Sequence, residues 1–393
     1  MYIEELCGSW MEHPFWKASF LLEDQKDLVA LQTCGLHDVW INTDKGKDIQ
    51  PDAVVLTDDR QEKCVETELA RVAIQSDPSL KKTPIGQEVH RARAILAHGK
   101  QTVTSMFGDV RMGNAISLNG VESLVEEISD SIARNPEAFL NLARIKNADN
   151  YTYLHSVAVS GLMIALGKQL GITGNDLKDA GVAGLMHDIG KAAIPDAVLN
   201  KPGKLSDEEF QIIKRHPRRG WEFLRESGDM NPVALDVVLH HHERVDSTGY
   251  PDQLSGKLLT IFAKMSAVCD VYDALTSDRC YKKGWAPAEA LRKMAEWKEG
   301  HFNERIFYAF VKTVGIYPSC TLVKLQSGRL GVVIEQSQKS LLEPILKVFY
   351  SIKSNAFIMP EIVDLSKSAE KISNIELSKN WDFDLNLVMD MSI

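Results

Sequence analysis

Residues 240–251, with the sequence HHHERVDSTGYP, constrain this chain more than any other stretch. Three consecutive histidines and two carboxylates precede a Gly-Tyr-Pro turn, and six of the chain's eleven histidines lie between positions 155 and 242. Imidazole and carboxylate groups gathered in this way are typical ligands of transition metals. The sequence therefore predicts a fold that brings several distant segments together around metal ions.

The segments that carry these histidines have the apolar spacing of helices. Ser206, followed three residues later by Glu209, is a capping-box signature that is predicted to begin the helix carrying His216. Pro217 is predicted to start a further turn, and Pro232 to start the helix that runs to the histidine triplet. The remaining predicted helices of this block are His155–Leu170, Asp176–Ile189, Thr260–Asp278, Ala288–Lys298 and Asn303–Val314.

The flanking parts of the chain have different patterns. Near the N-terminus, residues 23–33 predict an amphipathic helix and residues 38–43 a strand, whereas residues 321–325, 330–336 and 344–351 are short β-like runs. We predict a multidomain fold, an all-α helical bundle with a small α/β N-terminal domain and a short β-rich C-terminal appendage. The predicted parts are a small α/β, regulatory N-terminal domain (1–75), a helical linker region (76–137), a catalytic helical bundle (138–318) and a β-rich C-terminal extension (319–393).

Composition limits the partners and the compartment. The net charge of −9 argues against binding of bulk nucleic acid through its phosphates, although a few local cations would suffice for a small phosphorylated ligand. The six cysteines are dispersed without a Cys-x-x-Cys pair, which fits a reducing compartment. No apolar run approaches the roughly 20 residues that a membrane span needs. We therefore expect a cytoplasmic protein.

Seven side chains from different predicted helices are candidate metal ligands. Five imidazoles and two carboxylates are too many for one four-coordinate zinc, but they suit two metals about 3.5–4 Å apart that hold a hydroxide for attack on phosphorus. The absence of thiolate favours iron, manganese, nickel or zinc over copper(I) or a structural zinc. Any one of these histidines by itself would more often be an ordinary core or surface residue, and His240 is predicted to be flanking structure. The candidates are His155, His187, Asp188, His216, His241, His242 and Asp270.

Three motifs resemble those of the HD-GYP family. They are HDIGK at 187–191, HHERxDxxGYP at 241–251 and DxxDALTxxRxY at 270–281. This family is a branch of the HD superfamily of metal-dependent phosphohydrolases, and its members hydrolyse the bacterial second messenger cyclic di-GMP. The resemblance covers about residues 140–318 and implies an HD-type catalytic domain. Residues 1 to about 70 resemble, less closely, the domain of unknown function that often precedes HD-GYP modules.

The resemblance implies a role for each candidate. His155, His187 and Asp270 would bind a first metal, His216, His241 and His242 a second, and Asp188 would bridge the two. Lys191 would act at the scissile phosphate, and Arg279 and Lys282 would bind substrate phosphates. The metals would be iron or manganese, with nickel, zinc and cobalt as further candidates. The metal-bridging hydroxide would open cyclic di-GMP to linear pGpG. The Gly-Tyr-Pro loop would contact diguanylate cyclase-type signalling proteins.

Two positions depart from the family pattern. Ser247 stands where the family usually has glycine, and this would cost about 1 kcal/mol if the backbone there has a positive φ. Tyr151 stands where some members have a glutamate that binds a third metal, so we expect a two-metal centre that releases GMP slowly. Two other functions stay open, a catalytically weak cyclic di-GMP receptor or partner-binding module and a di-iron HD-type oxygenase. The intact ligand set disfavours the first, and the Gly-Tyr-Pro turn disfavours the second.

Overall fold

The computed structural model describes residues 2–7, 20–22, 38–41, 45, 85–114, 118–144, 151–201, 203, 205–228, 230–277, 284–319, 321–337, 340–376 and 381. These residues form a small N-terminal sheet, a helical block and a C-terminal sheet. The N-terminal sheet has the antiparallel order β2-β1-β3 and includes the strand predicted at 38–43. Its strands are β1 (Tyr2–Cys7), β2 (Phe20–Leu21) and β3 (Asp38–Ile41). The helix predicted at 23–33 lies outside the described residues.

The helical block contains the segments that carry the candidate ligands. No helix within the described ranges combines the length and the apolar character that a membrane span requires. The helices of this block are α1 (Ile85–Arg111), α2 (Leu118–Arg134), α3 (Pro136–Arg144), α4 (Tyr151–Gln169), α5 (Gly174–Met186), α6 (Asp196–Leu199), α7 (Asp207–Ile213), α8 (His216–Glu226), α9 (Pro232–His240), α10 (Ile261–Thr276), α11 (Pro287–His301) and α12 (Glu304–Val314).

One apolar core runs through this block, with α4 and α5 at its centre. Leu166 of α4 and Leu185 of α5 are fully buried, and so are Leu124 and Ile128 of α2. Phe107 of α1 belongs to the same core. The helices of the predicted linker region therefore share their core with the catalytic helices, while the domain boundaries at 75, 137 and 318 stay predictions.

The helix carrying the first histidine begins earlier than its sequence pattern indicates. α4 starts at Tyr151, one turn before the predicted start, so that His155 lies inside the helix. Its first turn, Tyr-Thr-Tyr-Leu, carries polar groups that interrupt the apolar run on which the prediction relied. The ligand candidate is thus held by helical backbone on both sides.

The region around His216 corrects one prediction. Ser206 and Glu209 do form the capping box that begins α7. However, α7 ends at Ile213, so the prediction that this helix carries His216 is wrong. His216 begins α8 instead, because Pro217 lacks the N–H that would continue the preceding helix and is accommodated in a new first turn.

A tight turn after α5 brings His187 and Asp188 close to His216. α5 ends at Met186 rather than at the predicted Ile189, and a 3-10 helix follows over Ile189–Ala193. A side chain at Gly190 would overlap the backbone of His216 and Gly220. Only glycine therefore lets α8 approach this turn, and that approach places His216 beside Asp188.

The C-terminal sheet has five antiparallel strands in the order β7-β6-β5-β4-β8. Both of its faces are covered, since Val332 and Phe349 are buried in one cluster and Val333 and Val348 in another. The three predicted β runs are confirmed as β4, β5 and β6. The sequence analysis did not predict β7 or the short β8. β7 contains Pro360, and because it is an outer strand its apolar residues do not alternate between buried and exposed positions. The strands are β4 (Leu322–Leu325), β5 (Arg329–Glu335), β6 (Ile345–Ser351), β7 (Ala356–Asp364) and β8 (Ile372–Ile375).

A buried carboxylate joins α1 to α2 and supports one stability prediction. Glu88 is fully buried and accepts hydrogen bonds from Arg134 at 2.8 and 2.9 Å and from Ser131 at 2.9 Å. Burial opposes its ionisation, but these bonds outweigh burial and lower its pKa below the ordinary 4.5. We expect Glu88→Ala to lower the free energy of unfolding by about 2–3 kcal/mol at pH 7, because it leaves a partly buried guanidinium without its partner.

The pH dependence of this effect follows from the direction of the shift. A lowered pKa stabilises the folded state above the unfolded pKa, and that contribution is lost as pH falls through the folded pKa. Urea unfolding of the wild type and of Glu88→Ala at pH 7 and at pH 3 measures it. The difference between the two proteins should shrink at the lower pH, and an equal difference at both would contradict the assignment.

Candidate metal centre

The seven predicted ligands meet at one place inside the helical block. His155 projects from α4, His187 and Asp188 follow the end of α5, and Asp270 projects from α10. His216 begins α8, and His241 and His242 follow the end of α9. All seven side chains are at least nine-tenths buried. Helix ends and helix interiors therefore supply polar atoms to a region from which solvent is largely excluded.

One group of ligand atoms surrounds His155. Its Nε2 lies 3.2 Å from His187 Nε2, 3.1 Å from Asp270 Oδ1 and 3.5 Å from Asp188 Oδ2. The Nε2 of His187 is 3.3 Å from the same oxygen of Asp188. His155, His187 and Asp188 thus offer ligand atoms that are close enough to contact one metal ion.

A second group surrounds His216. Its Nε2 lies 3.1 Å from His241 Nε2 and 3.3 Å from Asp188 Oδ1. Ligand atoms of these three residues and of His242 all lie within 4.8 Å of one another. Asp188 is common to both groups, and it turns Oδ2 toward the first and Oδ1 toward the second. A carboxylate with this orientation could offer one oxygen to a metal ion in each group.

The hydrogen bonds of the outer ring nitrogens test whether metals fit this cluster. The Nδ1 atoms of His187, His216 and His241 each contact backbone carbonyl oxygens at 2.8–3.1 Å, namely those of Gly184, Ile213, Val237 and Val238. Since a carbonyl only accepts, each Nδ1 carries the proton and each Nε2 of the neutral ring presents a lone pair. The Nε2 lone pairs of His216 and His241 face one another at 3.1 Å and repel unless a cation lies between them. The nitrogen and carboxylate donors fit divalent transition metals.

The protonation of the second group suits metal binding. Burial lowers the pKa of His216 to about 3 and that of His242 to about 4, and it lowers the pKa of His241 well below its usual value. Burial opposes ionisation of Asp188, but the charge of Lys191 holds its pKa well below the usual range. At neutral pH these imidazoles are therefore uncharged and the Asp188 carboxyl is ionised, which are their metal-binding forms.

Asp273 is a buried carboxylate beside the candidate ligands, and the sequence analysis assigned it no role. It lies one turn after Asp270 on α10, it is buried, and its Oδ2 is 2.6 Å from His155 Nδ1. Metal-binding histidines commonly donate their second ring N–H to such a carboxylate, which orients the ring. The spacing of two aspartates three residues apart on an apolar helix was the available signal.

Residues 243–254 form a loop at the edge of this cluster. Glu243 is buried, and its two carboxylate oxygens accept the backbone N–H groups of Asp252 at 2.6 Å and Leu254 at 3.1 Å. Tyr250 stacks on His242 with the ring centroids 4.8 Å apart. His240 points away from the ligand atoms, and its Nδ1 lies 2.8 Å from Asp236. The loop is therefore tied to the cluster through both its backbone and its tyrosine.

Of the three basic residues predicted to act on the substrate, the structure describes Lys191. Lys191 contacts Asp188 Oδ2 at 2.5 Å. Arg279 and Lys282, predicted to bind phosphate, lie outside the described residues. Lys214 was not predicted, because it belongs to a basic stretch that resembles a solvated helix surface. Its ammonium lies 5.3 Å from the centroid of the Tyr250 ring, and burial lowers its pKa.

Ser247 has a φ of 69°, the left-handed conformation that glycine adopts at lower cost. We expect Ser247→Gly to raise the free energy of unfolding by about 0.5–1 kcal/mol, because it removes the strained Cβ. Urea unfolding measures the change. Ser247→Ala keeps the Cβ and should bring no such gain, and destabilisation by glycine would show that the serine side chain contributes more than the strain it causes.

Comparisons with known proteins agree with this arrangement. A family described as "HD domain" matches residues 126–306, and "Domain of unknown function (DUF3391)" matches residues 1–121. The chain is 47% identical to the cyclic di-GMP phosphodiesterase PA4108 of Pseudomonas aeruginosa, over 98% of this chain and 91% of the relative. It is 37% identical to the cyclic di-GMP phosphodiesterase response regulator RpfG of Xanthomonas campestris, over 56% of this chain and 58% of the relative.

A solved structure is also similar. It is Bd1817, an HDG"Y"P protein from Bdellovibrio bacteriovorus, with a TM-score of 0.47 and 19% sequence identity. The similarity covers 75% of this chain and 88% of that protein.

Proposed function

The chain belongs to the HD-GYP family of HD domain proteins, and from this premise we propose that it is a metal-dependent phosphodiesterase that hydrolyses cyclic di-GMP. The identity to the Pseudomonas enzyme extends over both matched domains and almost the full chain. The observation that supports this function most directly is the position of Asp188. Its two oxygens face two separate groups of histidines.

We propose the following ligand assignment for the two metals. His155, His187 and Asp270 would hold the first, His216, His241 and His242 would hold the second, and Asp188 would contribute to both. The 3.1 Å distance between Asp270 Oδ1 and His155 Nε2 supports Asp270 as a ligand of the first metal. Support for the second set is the common neighbourhood of its ligand atoms and Asp188.

The metals, when bound, would supply a water activated for attack on phosphorus and positive charge for the developing phosphorane. The protein residues position the reactants. Lys191, held at 2.5 Å from Asp188, would direct its ammonium toward a non-bridging oxygen of the scissile phosphate. The buried histidines would keep bulk water from the reaction, since their rings line the cluster. Arg279 and Lys282 would bind substrate phosphates.

We propose iron or manganese as the metals, with nickel, zinc and cobalt as further candidates, because the donors are nitrogen and oxygen without thiolate. The proposed product is the linear dinucleotide pGpG, which would be converted only slowly to GMP. This product follows from the two-metal assignment and from Tyr151 at the position of a third-metal ligand.

Anaerobic purification with metal analysis, followed by turnover with iron, with manganese and without metal, tests the function. We expect activity only in the metal-loaded protein, and a time course by chromatography should show pGpG well before GMP. Rapid stoichiometric release of GMP would contradict the proposed product. A metal-loaded protein that binds cyclic di-GMP without turnover would favour a receptor, and oxygen consumption with an organic substrate would favour an oxygenase.

A further inference from the structure

We propose that Lys214 is a substrate-binding residue, which holds the phosphate of cyclic di-GMP that is not being cleaved. The inference rests on the proposed function, since it concerns how that substrate lies at the metal centre. It adds a cation next to Tyr250, which stacks on His242.

The first argument is position. Lys214 follows the end of α7 and stands two residues before His216 in the sequence. Its ammonium lies 5.3 Å from the centroid of the Tyr250 ring, which itself stacks on His242. Lys214 is therefore next to a side chain that contacts a candidate metal ligand. A ligand at the metals that extends over Tyr250 would reach this ammonium.

The second argument is charge. Four cations occupy residues 214–219, and two of them have acidic partners: Arg218 contacts Asp252 at 2.5 Å and Arg219 contacts Glu222 at 2.8 Å. Arg215 is exposed to solvent. Lys214 is half-buried, and no carboxylate forms an ion pair with it within the part of the chain that the structure describes.

The third argument is that this ammonium is held in place. It lies 4.8 Å from the centroid of the Phe210 ring and 5.3 Å from that of Tyr250. Two aromatic faces orient the ammonium, but their attraction replaces only part of the hydration free energy that the ammonium loses on burial. An anionic group would compensate for the rest, so the free energy of the site favours a bound phosphate.

The chemistry of the substrate offers a second phosphate that Lys214 would bind together with the proposed Arg279 and Lys282. Cyclic di-GMP has two phosphodiesters in one ring, each with a negative charge, and only one can be cleaved at a time. Lys191 contacts Asp188 and would serve the scissile phosphate. The other phosphate must then lie nearby, outside the ligand cluster. A lysine suits it, because an ammonium acts as a point charge that needs no fixed approach.

A pair of substrates tests the assignment. Lys214→Gln should raise KM for cyclic di-GMP at least about tenfold, as expected for loss of a charge-assisted hydrogen bond, with kcat changed much less. Bis(p-nitrophenyl) phosphate has a single phosphodiester. The factor by which Lys214→Gln lowers kcat/KM should be roughly ten times smaller for this substrate than for cyclic di-GMP. Lys214→Arg should restore most of the affinity, and Arg219→Gln, which removes the same charge from a solvent-facing position of α8, is the matched control.

Several outcomes would overturn the assignment. Equal losses for both substrates, or lower metal content in Lys214→Gln, would mean that Lys214 supports the loop rather than binds substrate. A KM unchanged within about twofold would exclude the contact. If Lys214→Gln unfolds, the more apolar Lys214→Met and the charge-retaining Lys214→Arg provide the same comparison. A metal-loaded wild type that fails to hydrolyse cyclic di-GMP would refute the proposed function itself. An active wild type together with an equally active Lys214→Gln would refute only the role of Lys214.

Discussion

Replacing Asp188 with alanine is expected to reduce kcat/KM for cyclic di-GMP by a factor on the order of 10⁴ and to remove most of the bound metal. The reason is geometric. Asp188 Oδ2 lies within 3.5 Å of the Nε2 atoms of His155 and His187, and its Oδ1 lies 3.3 Å from His216 Nε2. Without this carboxylate, the buried site would lose a negative charge that offsets the positive charge of the metals it would hold.

Metal analysis of the purified variant, together with single-turnover kinetics, would measure both effects. Asp188→Asn keeps the shape of the side chain but lacks its charge, and it should resemble alanine in metal content. Asp236→Asn is the matched control, because Asp236 contacts His240 and Thr260 rather than the ligand atoms. Its metal content should be normal. Full metal loading and full activity in Asp188→Ala would show that the cluster is not the catalytic centre.

Replacing Asp273 with asparagine is expected to weaken metal binding at the His155 side by about 10–100-fold. The Oδ2 of Asp273 accepts the Nδ1–H of His155 at 2.6 Å. The negative charge increases the basicity of the imidazole and fixes which nitrogen faces the cluster. Asparagine can accept the same hydrogen bond but lacks the charge, so the ring would be a poorer donor to metal.

Stepwise metal titration of Asp273→Asn distinguishes this role from a general effect on folding. We expect one site to be weakened while the site next to His216, His241 and His242 keeps its affinity. Thermal unfolding of the metal-free proteins serves as the check, since a merely structural residue would change stability in the absence of metal and affect both sites alike. Unchanged affinity at both sites would contradict the proposed orienting role.

Much of the helical block could be predicted, because helix formation depends on patterns within a few turns. The capping box at Ser206 and the proline starts at 217 and 232 were confirmed for this reason. The placement of His216 in the helix that begins after Ser206 was wrong, because that helix already ends at Ile213. The outer strand β7 was missed because its exposed Phe357 and Met359 do not alternate with buried residues as an inner strand would require.

The sequence by itself determined which chemical groups this protein offers: imidazoles and carboxylates at helix ends, without thiolate, in motifs that resemble one family. Side-chain chemistry and helix period are local properties. Only the tertiary structure decided that Asp188 turns its two oxygens toward different histidines, that Asp273 accepts a hydrogen bond from His155 across 118 positions of sequence, and that Lys214 lies over Tyr250. These contacts depend on how helices pack, and packing is set by the whole core rather than by the residues that make the contact.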